Sequence, residues 1–256
     1  MTVTDCARIV ERGDPDRFLA TMAAPLPARD VLWPLFAFNV EIARAPWRSD
    51  EPLVVEMRLQ WWRDLIEEAG TRPPPAHEVA GPLAELVAAR ALPRDVLDRV
   101  IAARLRDTRH AIFEDEDEFR THLDESAGGL LWATAVGLGA DDALEDAVRR
   151  AGRAGGLAGW LMAVPYYVEH GKLPLADGRP ETVARLARAA LDDLAALRRV
   201  RFGPALPAMR TLWQARRVLR QVVADPAAVG EGRLGLTEFA RRATLFRVAA
   251  TGRWLA

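Results

Sequence analysis

The stretch FAFNVEIARAPW, from Phe36 to Trp47, decides how this chain reads. It lies in a segment of helix length, residues 28–45, bounded by PLP at 25–27 on one side and followed by a second such segment at 53–69. Neither segment alternates apolar and polar residues as a half-buried strand would. The same holds along the rest of the chain, which is poor in β-branched residues and rich in Ala, Leu, Arg and Glu, the better helix formers.

Turn-forming clusters divide the chain further: RPPP at 72–75, LPRD at 92–95, GLGADD at 137–142, GKLPLADGRP at 171–180, FGPALP at 202–207 and GEGRLG at 230–235. Between them the spacing predicts helices over 79–90, 94–109, 118–136, 141–170, 181–200, 207–224 and 236–249, with Asp95, Asp141 and Thr237 as N-caps. Pro34 and Pro165 fall inside predicted helices, where each removes a backbone donor and kinks are expected. The stretch AGRAGGLAGW, 151–160, carries so little side chain that another helix or a ligand is expected close to its backbone. No connection is long enough for an interdomain linker and no fixed-period repeat is visible, so residues 1–256 read as one all-α domain.

Composition narrows the function. Half of the 256 residues are hydrophobic, enough for a large core, and 35 basic residues balance 36 acidic ones. That balance argues against a nucleic-acid partner, which calls for a basic excess. Cys6 is the only cysteine, so neither an internal disulfide nor a cysteine metal cage can form. The first residues, MTVTDCARIVERGDPDRF, lack the apolar core of a signal peptide and carry acids unlike a transit peptide. A soluble cytoplasmic protein is expected, with peripheral contact at the inner face of the cytoplasmic membrane left open.

FAFNVEIARAPW, then EPLVVEMRLQWWRDLIEE (51–68), ESAGGLLWATAVGLG (125–139) and AGRAGGLAGWLMAVPYYVEHGKLPL (151–175) together resemble the squalene/phytoene synthase family in order and spacing. The resemblance implies an isoprenoid-synthase-like helical bundle around a central cavity, in which two facing helices carry aspartate clusters for magnesium and substrate diphosphate. Such clusters suit the chemistry, because magnesium takes oxygen ligands and a departing diphosphate must be neutralised. On this chain the first cluster's acidic positions fall on Ala43, Arg44 and Trp47, and the second motif falls on Gly156, Gly159, Met162, Ala163 and Tyr167. None is acidic. Glu41 and Glu169 are the nearest acids, each displaced by two residues, roughly 200° around a helix.

A subgroup of that family, the mitochondrial complex I assembly factors, is similar in its Ala-Phe-Asn-Val-Glu segment, here Ala37 to Glu41, and in a Pro-Tyr pair, here Pro165-Tyr166. This resemblance implies a non-catalytic helper that has a subunit or assembly intermediate of respiratory complex I as partner. It also implies a cavity for an isoprenoid or other hydrophobic ligand near Phe36, Phe38, Asn39, Trp61, Gly155, Gly159, Met162 and Tyr166, with no catalytic residue, metal or cofactor. The alternative is an active prenyl diphosphate transferase whose acids have moved, for which Glu41 or Asp142 would serve and magnesium would be needed. A third reading is a lipid- or quinone-binding protein.

Other signals read more simply. DDALED (141–146) is expected to cap a helix, and EDEDE (114–118) to form a solvated turn before Phe119. Asp192 and Asp193 read as surface pairing partners. His77, His110, His122 and His170 lack metal-ligand spacing, and His170 reads as a surface or helix-terminal histidine. Trp61 and Trp62 read as core, with Trp62 the one expected to turn outward. MRTLWQARRVLRQVV (209–223) is cationic and amphipathic; packing on the bundle is favoured over lying on an anionic membrane.

Overall fold

The computed structural model describes residues 2–49, 51–108 and 112–255, which form an all-α bundle. In chain order the helices are α1 (Val3–Gly13), α2 (Pro15–Met22), α3 (Leu26–Arg44), α4 (Pro52–Glu68), α5 (Ala80–Ala89), α6 (Arg94–Thr108), α7 (Glu116–Leu123), α8 (Gly129–Gly137), α9 (Glu145–Glu169), α10 (Pro180–Ala196), α11 (Leu206–Met209), α12 (Ala215–Ala224) and α13 (Glu238–Thr251). The described residues form no strand. Among them no helix is long and apolar enough to cross a membrane.

The core is built around α3, in which every residue from Val31 to Val40 is buried. A helix apolar all round must be surrounded, and α1, α2, α5, α6 and α8 pack on α3. On the far side of α8, α9 carries α10 and α12. Both α3 and α9 continue through their internal prolines, Pro34 and Pro165.

Two N-terminal helices lie outside the sequence reading, although both carry local signals. The Thr2 backbone N–H and hydroxyl both donate to the Asp5 carboxylate in a capping box. Asp14 accepts from the Arg17 N–H, with Pro15 as the first residue of α2. Thr237 and Asp141 cap as expected, accepting from Ala240 and Ala143. Asp95 does not cap, because α6 already begins at Arg94 and the Asp95 carboxylate takes Arg99 one turn on.

Two predicted helices are broken. The 118–136 segment is interrupted by a π-helical turn, Asp124–Gly128, between α7 and α8. The reason is close packing: a Cβ on Gly152 of α9 would lie 2.7 Å from the Gly128 Cα and 3.0 Å from the Ala127 carbonyl oxygen. Asp124 in the same turn takes Arg149 at 3.3 Å and Arg153 at 2.9 Å, both from α9. The 207–224 segment is broken between α11 and α12 by a 3-10 turn, Arg210–Leu212, and by Trp213. Trp213 is fully buried against Ala20 and Val248, with its indole N–H 3.4 Å from the Asp16 carbonyl oxygen. Tertiary burial of one large ring overrides helical continuity there.

The glycines of α9 differ sharply in what surrounds them. Gly152→Ala pushes a methyl group into backbone and is expected to destabilise the fold by about 1–3 kcal/mol. Gly159→Ala meets nothing within 4 Å, and is expected to stabilise by about 0.5–1 kcal/mol because glycine is the poorer helix former. Chemical denaturation of the two variants tests the contrast; equal effects would contradict it.

Candidate functional site

The facing ends of α3 and α9 are where the family resemblance places the two aspartate clusters, and what meets there is aromatic. Trp47, in the 3-10 turn that follows α3, has its ring centroid 5.6 Å from Tyr167, 5.0 Å from Tyr166 and 5.4 Å from His170. The Lys172 ammonium sits 4.1 Å from the centre of the Trp47 ring, a cation–π contact. Tyr167 stacks on Trp160 at 4.8 Å, and Trp160 continues the band to His122, Phe119 and Phe113. Two of the positions that fall in the expected clusters, Trp47 and Tyr167, are therefore occupied by rings in contact.

This donor set does not fit magnesium. The ion needs hard oxygen ligands, and neither ring supplies a carboxylate; the charge on the Trp47 ring is the ammonium of Lys172. Among the described residues no three His, Cys, Asp or Glu side chains converge as a metal site requires. Glu41 pairs with Arg48 at 3.6 Å on another side of α3, and Glu169 is exposed at the end of α9. Asp142 is exposed in the 3-10 turn that its neighbour Asp141 caps.

The eight residues expected around one cavity are divided among five places. Phe36, Gly155, Gly159 and Met162 do come together, lining a cavity of about 180 Å³ with Asp14, Arg17 and Leu212. It is smaller than the ~300–1,000 Å³ usual for ligand pockets. Leu212 narrows it, since a Cβ on Gly155 would lie only 2.4 Å from Leu212 Cδ2. Phe38 and Asn39 point elsewhere because α3 has turned. Phe38 packs edge-on to Trp62 at 5.4 Å, and the Asn39 side-chain oxygen accepts from Arg104 at 3.2 Å. Trp61 lines a second, larger cavity of about 530 Å³ with Glu41, Arg48, Met57, Arg58 and His77. Tyr166 belongs to the aromatic cluster at Trp47.

Trp62 is the buried member of its pair and Trp61 the half-buried one, the reverse of the expectation, because Trp62 shares its helix face with the buried Val55, Leu59 and Ile66. The residues of the smaller cavity absent from the sequence reading are Asp14, Asp16 and Arg17. The signal for them is the Asp-Pro-Asp-Arg run that starts α2. Arg17 pairs with Asp14 at 3.1 Å and lies over the Phe36 ring at 5.3 Å, while Asp16 pairs with Arg241.

The acidic run is not the expected turn before Phe119, because α7 already begins at Glu116 and takes Glu116, Asp117 and Glu118 into its first turn; the other signals follow their simpler readings. In the acidic run, Asp115 caps α7, Glu118 pairs with Arg106, and Glu116 pairs with Arg185. Asp193 reaches Arg150 of α9 at 2.6 Å. His170 ends α9, its Nδ1 2.8 Å from the Tyr166 carbonyl oxygen. His77 Nδ1 accepts from the Val79 N–H at 3.2 Å, and His110 lies outside the described residues. Burial pushes the Cys6 thiol up to about 12, which makes it a poor nucleophile. Burial, with the charges of Arg104 and Arg106, lowers the His122 pKa to about 3.

What the fold and site define is an isoprenoid-synthase-type bundle in which the rings of Trp47 and Tyr167 meet where α3 and α9 end. The family model for squalene/phytoene synthase matches residues 10–240, and the chain belongs to that family. Among curated relatives, the mouse protein named NADH dehydrogenase (ubiquinone) complex I, assembly factor 6, is 28% identical over 163 residues, 63% of this chain and 49% of the relative. The Drosophila melanogaster homolog of assembly factor 6 is 30% identical over 167 residues, 62% of this chain and 50% of the relative. The matched stretch thus spans about half the length of these relatives. A solved dehydrosqualene synthase in complex with ligand superposes with a TM-score of 0.80 at 11% identity, covering 97% of this chain and 95% of that one. The squalene synthase HpnC from Alicyclobacillus acidocaldarius superposes with a TM-score of 0.67 at 15% identity, covering 91% and 95%. At those identities the superpositions establish the fold.

Two predictions follow from this geometry. Trp47→Ala removes the ring shared by Tyr166, Tyr167, His170 and Lys172, and is expected to destabilise the fold by about 2 kcal/mol, read as a lower urea midpoint. His122 titrates near 6.5 when unfolded but near 3 when folded, so the unfolded chain binds the extra proton as pH falls between those values. Its contribution therefore costs stability below pH 6.5, by about 2 kcal/mol at pH 5 relative to pH 7. The His122→Phe variant should lose that part of the pH dependence, measured as denaturation free energy at the two pH values.

Proposed function

We propose that this protein is a squalene/phytoene synthase-family member that works without the family's magnesium–diphosphate chemistry and assists assembly of the respiratory NADH dehydrogenase, complex I. The observation that carries the first part is the contact between Trp47 and Tyr167, 5.6 Å apart, at two positions that fall in the expected clusters. A ring pair with a lysine above it offers no oxygen cluster to a divalent ion, and so no metal charge to neutralise a leaving diphosphate. The names of the mouse and fly relatives, both complex I assembly factor 6, support the second part. A hydrophobic ligand is a further part of the reading, supported by the cavity of about 530 Å³ beside Trp61, which falls within the usual range for ligand pockets.

The experiment has two arms. Purified protein given farnesyl or geranylgeranyl diphosphate with magnesium is expected to release no pyrophosphate above a heat-killed control; chelator-sensitive release would establish relocated acids and an active transferase. A strain lacking the gene is expected to show reduced assembled NADH dehydrogenase on native gels, restored by the wild-type chain. Normal levels of the assembled complex would refute the assembly role, whatever the first arm shows.

A further inference from the structure

Helix α13 is apolar on two opposite sides, and only one of them is used by the bundle. Thr244 and Val248 face inward, where Val248 meets Trp213 and Ala20, and Arg241 on the same side pairs with Asp16. The opposite side carries Phe239, Ala243, Phe246 and Ala250. At 100° per residue these four fall within a sector about 60° wide. Phe239 is 84% exposed and Phe246 75%, while Ala243 and Ala250 are exposed beside them. Two phenylalanines projecting from one convex stripe is an unusual use of apolar surface, since burying such a ring is strongly favourable.

Cations border the stripe. Arg242 and Arg247 flank it on either side, both exposed. Beyond Arg247 lies a group of arginines from α12 and the turn Leu197–Arg199. Burial, followed by the charges of Arg220, Arg198 and Arg247, lowers the pKa of Arg216. The whole of α12 holds Arg216, Arg217 and Arg220 with no acid, and α13 holds three arginines against one acid, Glu238, which Arg241 and Arg242 already engage. Among the described residues no carboxylate lies within ion-pair distance of Arg198, Arg220 or Arg247. The apolar face of α12 is not available to a membrane, because Val218, Leu219 and Val222 are buried in the packing against α9 and α10. Its arginines remain beside α13.

We propose that the outward side of α13, together with the arginines of α12 beside it, binds the surface of an anionic lipid bilayer, with Phe239 and Phe246 entering the acyl boundary. Charge complementarity selects this occupant. A stripe of projecting rings edged by arginines suits a surface that is apolar at one depth and lined with phosphates just above it. Guanidinium groups pair well with phosphate oxygens, and rings that stand out from a convex helix can enter a fluid boundary without needing a matching cleft. The contact is peripheral. It does not depend on the assembly role.

The test is flotation of the full chain with vesicles of phosphatidylcholine alone and of phosphatidylcholine mixed with phosphatidylglycerol. The protein is expected to float with the anionic vesicles, far less with the neutral ones, and to be partly released by salt. The double variant Phe239→Ser/Phe246→Ser should lose at least about tenfold in partitioning. Arg220→Gln/Arg247→Gln should lose binding to the anionic vesicles while keeping the wild-type melting temperature. No flotation of the wild type with anionic vesicles would overturn the proposal, as would flotation unchanged in both double variants. A concentration-dependent dimer abolished by the phenylalanine changes, without vesicle binding, would also overturn it by giving the face to a second copy of the chain.

Discussion

The close approach of α9 to the π-helical turn at Asp124–Gly128 is the constraint on which the rest of the structure depends. Backbone meets backbone there, because neither Gly152 nor Gly128 has a side chain to hold the segments apart. Arg149 and Arg153, one helical turn apart, close on the single carboxylate of Asp124 and set the register of the contact. With α9 seated in that position, its C-terminal end comes beside the end of α3, so that Tyr167 touches Trp47. Its outer faces receive α10 and α12.

That placement determines what joins the ends of α3 and α9 in this chain. The ends of α3 and α9 are held together by packed rings. In this chain the linkage is dispersion and ring electrostatics, running from Lys172 over Trp47 through Tyr167 and Trp160 to His122. The small residues of α9 serve the same purpose. Gly155 accepts Leu212 and Gly156 accepts Ala127, so both side chains come close to the backbone of α9.

Much of the fold was legible because helical period and turn chemistry are local. The segments from 28–45 to 236–249 all contain helix, and the caps at Asp141 and Thr237 formed with the partners their positions imply. The resemblance carried the family, and the absence of acids at Ala43, Arg44 and Trp47 was plain from their identities alone. The cavity was less legible. Phe36 and Phe38 look equivalent in a sequence but lie about 200° apart on α3, so one faces α9 and the other Trp62. Similarly, the amphipathic run at 209–223 announces an apolar face, but nothing local tells whether protein or lipid covers it.

The sequence by itself determined that this chain is helical throughout, that it belongs beside the isoprenoid synthases, and that the aspartate clusters are missing, because each of these depends on residue identity at short spacing. Only the tertiary structure decided what replaced them. The contact of Trp47 with Tyr167 joins residues 120 positions apart, the break at Trp213 depends on Ala20 and Val248, and the outward turn of Phe239 and Phe246 depends on which side of α13 the bundle had already used. Such outcomes depend on which surfaces remain after long-range packing, and local sequence cannot specify that.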